Sequence, residues 1–380
     1  METAVDLEAV EVDASVKSLY IHCPFCRSKC HYCDFYSQET DKFGSAEVER
    51  FKYAMRLEIE KIAGLLAFSL RTIYVGGGTP SLFSAKDFEY ILDPIKQKIG
   101  SSTEFTVEVN PSSINRQKLF DYKAIGINRI SIGIQSFNPG ILTWLGRIHG
   151  REEALNALND VFAESYENVS ADLIAGIPNQ TEEQLEEDLA LLCSFPIKHI
   201  SCYLLTLAEN SRYYSCLPND EDQLSHYLKI DEYLRNRNFR HYEVSNFCLP
   251  GFEARHNTNY WLGGSYLAVG PSAHSFDAKV GKRWKNVSSI EEYCKRLLTE
   301  QSPTEWEETL TEQQKEIERW MLLLRLDQGV PAEWIDSEHR KKLVADYVEQ
   351  GLMEYLQRAR TYRLTARGMA ILDHVVSALS

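Results

Sequence analysis

Six hydrophobic runs recur along the first part of the chain, and each is followed by a polar turn and a segment with helical character. The runs are SLYIHC, RTIYVGGG, TEFTVEVN, RISIGIQS, VSADLIAGIP and HISCYLLT. They are mostly rich in Val, Ile and Leu and do not alternate strictly, which is typical of parallel strands covered on at least one face. The pattern predicts an α/β fold built on a βα repeat. Six such units fit a partial TIM-type (β/α)6 barrel better than a closed eight-stranded one.

Helix-like segments lie between the predicted strands at 45–67, 85–98 and 181–194. The third has a recognisable start, because Thr181 followed by Gln184 has the spacing of a capping box. In parallel α/β architectures, ligands collect at the carboxyl ends of the strands. The residues that close each hydrophobic run are therefore the first candidates for a functional site.

The pattern changes from about residue 304. Ile317, Trp320, Met321 and Leu324 recur at helical spacing, and a second helix, a small hairpin and a last helix follow. This order resembles a winged-helix module, a fold that often binds DNA. Residues 304–380 contain 14 acidic and 10 basic residues, so packing or contact with a partner protein is favoured over DNA binding. We predict an acidic tail at 1–17, a partial barrel carrying the site at 18–280, and a mainly helical, winged-helix-like domain at 281–380.

The charge of the chain limits its partners. Its 380 residues include 55 acidic and 41 basic side chains, which gives a formal net charge of −14. This charge disfavours nucleic acid and an anionic bilayer as main partners. The acidic N-terminus lacks the basic and apolar regions of a signal peptide, and no apolar run is long enough to span a membrane. We predict a cytoplasmic protein that contacts membranes at most peripherally, through its partners.

Four of the nine cysteines lie within eleven positions, in the stretch YIHCPFCRSKCHYCDF. Cys26, Cys30 and Cys33 have the spacing C-x3-C-x2-C, and Cys23 stands three residues before them. Zinc usually takes ligand pairs well separated in sequence, so one short loop of thiols fits a cubane iron–sulfur cluster better. A structural zinc site and buried thiols without a metal remain the alternatives. For Cys23 we favour packing as a small hydrophobic residue. The remaining cysteines are interpreted as structural, namely Cys193, Cys202, Cys216, Cys248 and Cys294.

Glycines and polar side chains close the second to fifth runs. The glycines of VGGGTP let the backbone approach the amino-acid head of a ligand closely. Glu108 in EVNP is placed to accept hydrogen bonds from ribose hydroxyls. Gln135 offers a polar amide and Arg147 a fork for a carboxylate, while Asp172 ends the fifth run. Each feature is weak alone, but their succession along the chain predicts one site.

The cysteine spacing after a first strand, with Tyr32 before the last cysteine, resembles the radical S-adenosylmethionine (SAM) superfamily. YIHCPFC, GGGTPS, EVNP, SIGIQSF, LGRIHG, DLIAGIP and HNTNYW together resemble the branch that contains oxygen-independent coproporphyrinogen III dehydrogenase and the haem chaperone HemW. The resemblance implies a [4Fe-4S] cluster on Cys26, Cys30 and Cys33, with SAM on the open iron. It also implies that SAM is contacted by Tyr20, Tyr32, Gly77, Gly78, Thr79, Glu108, Gln135, Arg147 and Asp172.

Two features favour the haem chaperones within that branch. The dehydrogenases carry a further cysteine two residues after the third ligand, whereas Phe35 stands at that position here. They also have a longer N-terminal extension than the residues that precede the cysteine motif in this sequence. The stretch RHNTNYW matches the H-N-x-x-Y-W motif of the chaperones, which implies haem contacts by His256, Asn257, Tyr260 and Trp261. An imidazole can ligate haem iron, and aromatic rings offer flat surfaces to the macrocycle. The alternative is a histidine that only packs and forms hydrogen bonds.

The resemblance therefore implies a chaperone that binds haem and a SAM-ligated cluster and transfers haem to acceptor proteins. Its partners would be haem or a porphyrin, haem-accepting proteins and an unidentified electron donor. The first alternative is an oxygen-independent coproporphyrinogen III oxidase (dehydrogenase) of porphyrin biosynthesis, in which a 5′-deoxyadenosyl radical starts oxidative decarboxylation of two propionates. The second is a metal-stapled interaction protein without catalysis. The sequence leaves open whether the chain is an enzyme.

Overall fold

A nine-stranded sheet forms the centre of the computed structural model, which describes residues 16–380. Most of the acidic tail predicted at 1–17 lies outside the described residues. The strands of the sheet are β1 Ser18–Cys23, β2 Thr72–Gly77, β3 Glu104–Val109, β4 Arg129–Gln135, β5 Asn168–Ala175, β6 His199–Leu204, β7 Arg240–Glu243, β8 Asn246–Cys248 and β9 Leu267–Val269.

The first six strands are neighbours in sequence order and pair in parallel. This arrangement confirms the predicted (β/α)6 partial barrel. Three further strands extend the sheet: β9 pairs in parallel with the free side of β1, and β8 and β7 add an antiparallel hairpin beyond β6. These strands have only three or four residues each, too few to show a hydrophobic period.

Polar and apolar residues alternate along the six strands, although the sequence predicted strands that do not alternate strictly. Polar side chains share the inner face, where the Tyr74 hydroxyl donates a hydrogen bond of 2.7 Å to Glu108 Oε1 and the ring of Tyr20 stacks on that of Tyr74. Apolar side chains such as Ile73 and Val107 lie on the outer face, in one hydrophobic core with the surrounding helices. The prediction of non-alternating strands was therefore wrong, because the lumen of the barrel is polar.

Most of the helices cover the outer face of the sheet. Their bounds are α1 Ser45–Ile62, α2 Ala85–Leu92, α3 Arg116–Ala124, α4 Pro139–Trp144, α5 Arg151–Ala163, α6 Glu182–Cys193, α7 Asp220–Arg235, α8 Arg255–Trp261 and α9 Ile290–Leu298. The predicted capping box is present at α6, where Thr181 and Gln184 each accept a hydrogen bond from the other's backbone N–H. The helix predicted at 85–98 ends at Leu92 and continues as a 3-10 turn, because Pro94 has no N–H to donate.

The C-terminal region contains the predicted order of helix, helix, hairpin and helix. It comprises α10 Glu312–Leu323, α11 Glu338–Glu349, the hairpin Met353–Leu356 and Thr361–Leu364, α12 Ala366–Met369 and α13 Leu372–Leu379. Trp320 and Leu324 belong to a second hydrophobic core, whereas Ile317 and Met321 of the same pattern are more than a third exposed. No helix within residues 16–380 is both long and apolar enough to cross a bilayer.

An antiparallel sheet and α9 join the barrel to this region. The sheet contains His274–Asp277, Lys282–Asn286 and Thr304–Thr309, so the boundary predicted between 280 and 281 falls in its first turn. Helix α9 contributes Tyr293 and other residues to the barrel core, whereas Trp320 of α10 belongs to the second core, together with Tyr227 of α7. The helices from α10 onward therefore pack in a core of their own, to which α7 also contributes.

The buried carboxylate of Glu58 links α1 to these later elements. It is 5% exposed and accepts hydrogen bonds from Gly270 N (2.9 Å), Asn286 Nδ2 (2.6 Å) and the Tyr293 hydroxyl. Burial raises the pKa of Glu58 to about 7, although all three donors act in the opposite direction. One side chain thus satisfies three buried donors from three different segments.

Replacing Glu58 with leucine is expected to lower the free energy of unfolding by about 3–5 kcal/mol, because three buried donors lose their acceptor together. Urea unfolding followed by circular dichroism measures this change. The matched control is Glu60→Leu, which makes the same change at an exposed position of the same helix and should shift stability by less than about 0.5 kcal/mol. A loss below about 1 kcal/mol for Glu58→Leu would show that these contacts contribute little.

Candidate functional site

A cavity of about 420 Å³ opens at the carboxyl ends of the parallel strands. It is lined by the three predicted cluster ligands, Cys26, Cys30 and Cys33, and by eight of the nine residues predicted to contact SAM. Those eight are Tyr32, Gly77, Gly78, Thr79, Glu108, Gln135, Arg147 and Asp172. Parallel pairing brings these residues together, since successive strands end at the same edge of the sheet.

The cysteine loop, defined as residues 24–38, is fixed to the end of β2 by backbone contacts. Gly78 N donates to Cys23 O and Thr79 N donates to Phe25 O, both at 2.7 Å. A Cβ atom on Gly78 would lie 2.6 Å from Phe25 O and 3.0 Å from Cys26 Sγ, so only glycine fits there. Gly78, the last glycine of VGGGTP, therefore seats the cysteine loop and also lines the cavity.

Two of the thiols accept contacts from polar groups of the barrel. Thr79 Oγ1 lies 3.6 Å from Cys26 Sγ, and Arg147 Nη1 lies 3.6 Å from Cys30 Sγ. A second contact of 2.7 Å from Nη2 to Gly133 O fixes the Arg147 guanidinium. These contacts hold two of the three predicted ligands beside the ends of the strands.

The three thiols share one cavity without converging on a single point. Among the described residues, no three His, Cys, Asp or Glu side chains converge closely enough to hold a single ion. Three thiols nevertheless line one cavity, which fits a cubane cluster because each thiolate binds a different iron. Cys23 is 1% exposed and belongs to the hydrophobic core outside this cavity, so its predicted packing role is confirmed.

Two half-buried carboxylates line the cavity. Glu108 accepts hydrogen bonds from the Tyr74 hydroxyl (2.7 Å) and Gly77 N (3.2 Å), and burial raises its pKa to about 7. Ser131 Oγ lies 3.4 Å from Asp172 Oδ1, and burial raises the pKa of Asp172 to about 6. The site therefore holds two acceptors whose ionisation changes near neutral pH.

Gln135 and Tyr20 illustrate how strand position decides a side chain's place. Gln135 closes β4 at a bulge with φ of 68°, in the left-handed region, and this turns its amide into the cavity. Tyr20 lies in the middle of β1 and does not line the cavity; its hydroxyl instead contacts His22 Nδ1 at 3.1 Å. The predicted SAM contact by Tyr20 is therefore not supported by the geometry.

The H-N-x-x-Y-W stretch lies at the opposite end of the barrel, on α8. His256 is 1% exposed, with Nδ1 at 2.8 Å from Thr72 Oγ1 and Nε2 at 2.7 Å from the Tyr260 hydroxyl. Burial lowers the pKa of His256 to about 3. Both ring nitrogens have protein partners, so the expected haem ligation by His256 is not supported and the packing alternative fits. Asn257 and Trp261 are half-buried, and Trp261 lies under the Arg325 guanidinium at 4.4 Å.

Sequence reasoning missed Ser131 and Tyr203, which also line the cavity. Both occupy inward positions of the alternating strands, so the alternation would have identified them had it been recognised. A larger open cavity of about 1,260 Å³ lies at the amino ends of the strands and contains no cysteine or histidine. Its lining offers none of the thiol chemistry present at the carboxyl ends.

Comparison with known proteins assigns the family. A model described as the Radical SAM superfamily matches residues 20–192. A protein named Heme chaperone HemW from Mycobacterium tuberculosis is 33% identical over 371 residues, covering 95% of this chain and 94% of that protein. The chain belongs to the HemW family. A HemW of Bacillus subtilis is 31% identical over 96% of this chain and 99% of its own length.

The fold of this HemW family member is also that of a solved enzyme. The structure titled "Coproporphyrinogen III oxidase (HemN) from Escherichia coli is a Radical SAM enzyme" superposes with a TM-score of 0.81. It covers 97% of this chain and 91% of the other at 18% identity. At that identity the likeness shows the shared fold alone, and it confirms the predicted architecture of the radical SAM type.

Proposed function

We propose that this protein is a haem chaperone that binds a [4Fe-4S] cluster and SAM and transfers haem to acceptor proteins. The observation that carries the proposal is the cavity at the carboxyl ends of the strands, where three thiols and two half-buried carboxylates meet in a HemW family member. The donor set fits the cluster, since thiolates are its usual ligands and three of them leave one iron open.

In this proposal Cys26, Cys30 and Cys33 hold the cluster, which supplies an electron and an open iron when bound. Arg147 contacts the Sγ atom of Cys30 and presents a fork to a carboxylate. Glu108 and Asp172 accept hydrogen bonds from SAM in their ionised forms.

The second candidate, coproporphyrinogen III dehydrogenase, has the same fold but differs at one position of the rim. The side chain of Phe35, which stands where the resemblance places a further cysteine in the enzymes, is 62% exposed beside the cavity. An exposed aromatic ring cannot act as a thiol ligand or redox group. This position favours the chaperone.

Haem titration beside an anaerobic coproporphyrinogen III assay, on one reconstituted preparation, tests the proposal. We expect stoichiometric haem binding, transfer of the bound haem to an acceptor such as apomyoglobin, and no consumption of coproporphyrinogen. Formation of protoporphyrinogen IX would instead make the protein an enzyme. If the protein binds no haem, iron or sulfide, the result would favour the remaining alternative, a metal-stapled interaction protein without catalysis.

His256→Gln is expected to leave the Soret maximum of the haem complex unchanged, because the imidazole bonds to Thr72 and Tyr260 and is not available to iron. Glutamine can keep those hydrogen bonds but replaces imidazole poorly as an iron ligand. Absorbance and resonance Raman spectra of the two complexes measure the ligation. A changed spin state or a displaced Soret band in this variant would restore His256 as a ligand and with it the proposed haem contacts of Asn257, Tyr260 and Trp261.

We place the protein in the cytoplasm, with haem or a porphyrin, haem-accepting proteins and an electron donor as partners. The net charge of −14 supports a role away from nucleic acid and anionic membranes. Fractionation of cells that express the tagged chain tests the location: recovery in the membrane fraction at high salt would contradict it.

A further inference from the structure

His22 bridges the barrel and the cysteine loop, although it lines no part of the cavity. It lies on β1 between Ile21 and Cys23 and is 4% exposed. Its Nε2 is 2.8 Å from the backbone oxygen of Tyr36, and its Nδ1 is 3.1 Å from the hydroxyl of Tyr20. Tyr36 follows Cys33 by three positions, so this contact fixes the far end of the cysteine loop.

The partners of His22 determine which nitrogen carries the proton. Burial lowers the pKa of His22, so the ring is neutral and has one N–H. A backbone carbonyl only accepts hydrogen bonds, so Nε2 must be the donor to Tyr36 O. Nδ1 then accepts, and the Tyr20 hydroxyl donates to it. The chain Tyr20, His22, Tyr36 therefore has one consistent direction of hydrogen bonding.

Two glycines leave the space that the imidazole occupies. Gly77 has φ of 108°, and a Cβ atom there would lie 2.6 Å from His22 Cε1. Gly270 has φ of 103°, and its Cβ would lie 2.6 Å from His22 O and 3.1 Å from His22 Cβ. Side chains at either position would displace His22, and both backbones adopt a conformation that favours glycine. The surroundings are thus shaped around this one residue.

The loop end that His22 contacts is tied further into the fold. The Tyr36 hydroxyl accepts hydrogen bonds from Ile290 N at 3.1 Å and from Gln38 Nε2 at 3.2 Å. Gln38 N donates to Pro24 O at 2.7 Å and closes the base of the loop. Among these contacts of Tyr36 and Gln38, the contact made by His22 comes from β1. It lies beside the end of β2, which seats the cysteine loop.

We propose that His22, oriented by Tyr20, is a positioning residue that holds the cysteine loop against the barrel and so sets the place of the three thiols. This gives Tyr20 a role that does not require contact with SAM. The loop contact itself is independent of the proposed function, whereas its consequence for cluster retention rests on that function.

Two isosteric substitutions separate hydrogen bonding from space filling. The amide nitrogen of His22→Gln reaches the position of Nε2 and keeps a donor for Tyr36 O, whereas His22→Met fills similar volume without a donor. Hydrogen exchange of the metal-free protein, read on peptides covering residues 34–40, should be about tenfold faster in His22→Met and within about twofold of the wild type in His22→Gln.

Two further variants test the contributions of Tyr36 and Tyr20, the partners of His22. Tyr36→Phe removes the bond to Ile290 N but keeps the carbonyl that His22 reaches, so it should leave the exchange difference between His22→Gln and His22→Met unchanged. Tyr20→Phe removes the donor to Nδ1 and should accelerate exchange of the same peptides by about threefold. Peptides of α5, which lies apart from the loop, report whether any variant unfolds globally.

Cluster retention provides the second readout. After reconstitution, iron release to a chelator should be about tenfold faster from His22→Met than from His22→Gln. Equal loop exchange in the two variants would overturn the proposal, as would unequal loop exchange accompanied by equal iron release. If the wild type takes up no cluster while the exchange difference persists, the proposed function fails and the loop contact stands.

Discussion

Replacing Cys26, Cys30 or Cys33 with alanine is expected to abolish the brown absorbance of the reconstituted protein, whereas Cys23→Ala retains it. The first three line one cavity, and three thiolates are the minimum set for a cubane cluster with one open iron. Cys23 is 1% exposed in the hydrophobic core, and its side chain lies away from that cavity. Visible absorbance with iron and acid-labile sulfide per chain measures the effect.

Cys216→Ala is the matched control for thiol loss in general, because Cys216 is exposed and does not line the cavity that the three thiols share. It should bind as much iron and sulfide as the wild type. If Cys23 proves necessary or one of the three cavity cysteines dispensable, the ligand assignment is wrong. Uptake of zinc without sulfide would favour the structural metal site instead.

The cavity was predictable because its chemistry follows from position. Glu108 and Asp172 lie on β3 and β5, which are not consecutive strands, yet parallel pairing brings both side chains to the same cavity. The cysteine spacing predicts a metal-binding loop by itself, and the two signals were independent. Because the two signals agreed, the sequence predicted that these residues meet at one place, as well as the fold.

Tyr20 and His256 were misplaced for a different reason. Membership of a motif indicates that a residue matters, but it does not say which end of the barrel or which partner the side chain meets. His256 bonds to the first residue of β2, far along the strand from Gly77, which closes it. Such contacts join residues 184 positions apart in the chain, so no local pattern predicts them.

The polar lumen was overlooked because glycines and a bulge interrupt the alternation at the strand ends. Gly76 and Gly77 have no side chain to reveal a face, and the bulge between Gly133 and Gln135 shifts the register by one residue. The runs were therefore interpreted as strands that do not alternate strictly. The three-residue strands β8 and β9 are stabilised by pairing with longer neighbours, a tertiary effect that leaves no signal in so short a segment.

The affinity for SAM is expected to rise with pH between 5.5 and 8, because ionised carboxylates accept hydrogen bonds and protonated ones lose acceptor capacity. Burial raises the pKa of Glu108 to about 7 and that of Asp172 to about 6. The charge of Asp172 also raises the pKa of Glu108, Arg129 lowers the pKa of both carboxylates, and Arg147 lowers that of Asp172. From Glu108 alone, the dissociation constant at pH 5.5 should exceed that at pH 8 by about 30-fold.

Glu108→Gln should weaken SAM binding at pH 8 by about 10- to 100-fold, since hydrogen bonds to a charged acceptor contribute about 1.5–3 kcal/mol. It should also remove the part of the pH dependence centred near 7 and leave the part that Asp172 contributes. Calorimetric titration of the cluster-loaded protein measures both effects. The matched control is Glu104→Gln, at the opposite end of the same strand, which should keep the wild-type affinity and pH profile. If Glu108→Gln loses iron together with SAM, the carboxylate maintains the fold and does not bind the cofactor; if the pH dependence near 7 persists in this variant, another group controls binding.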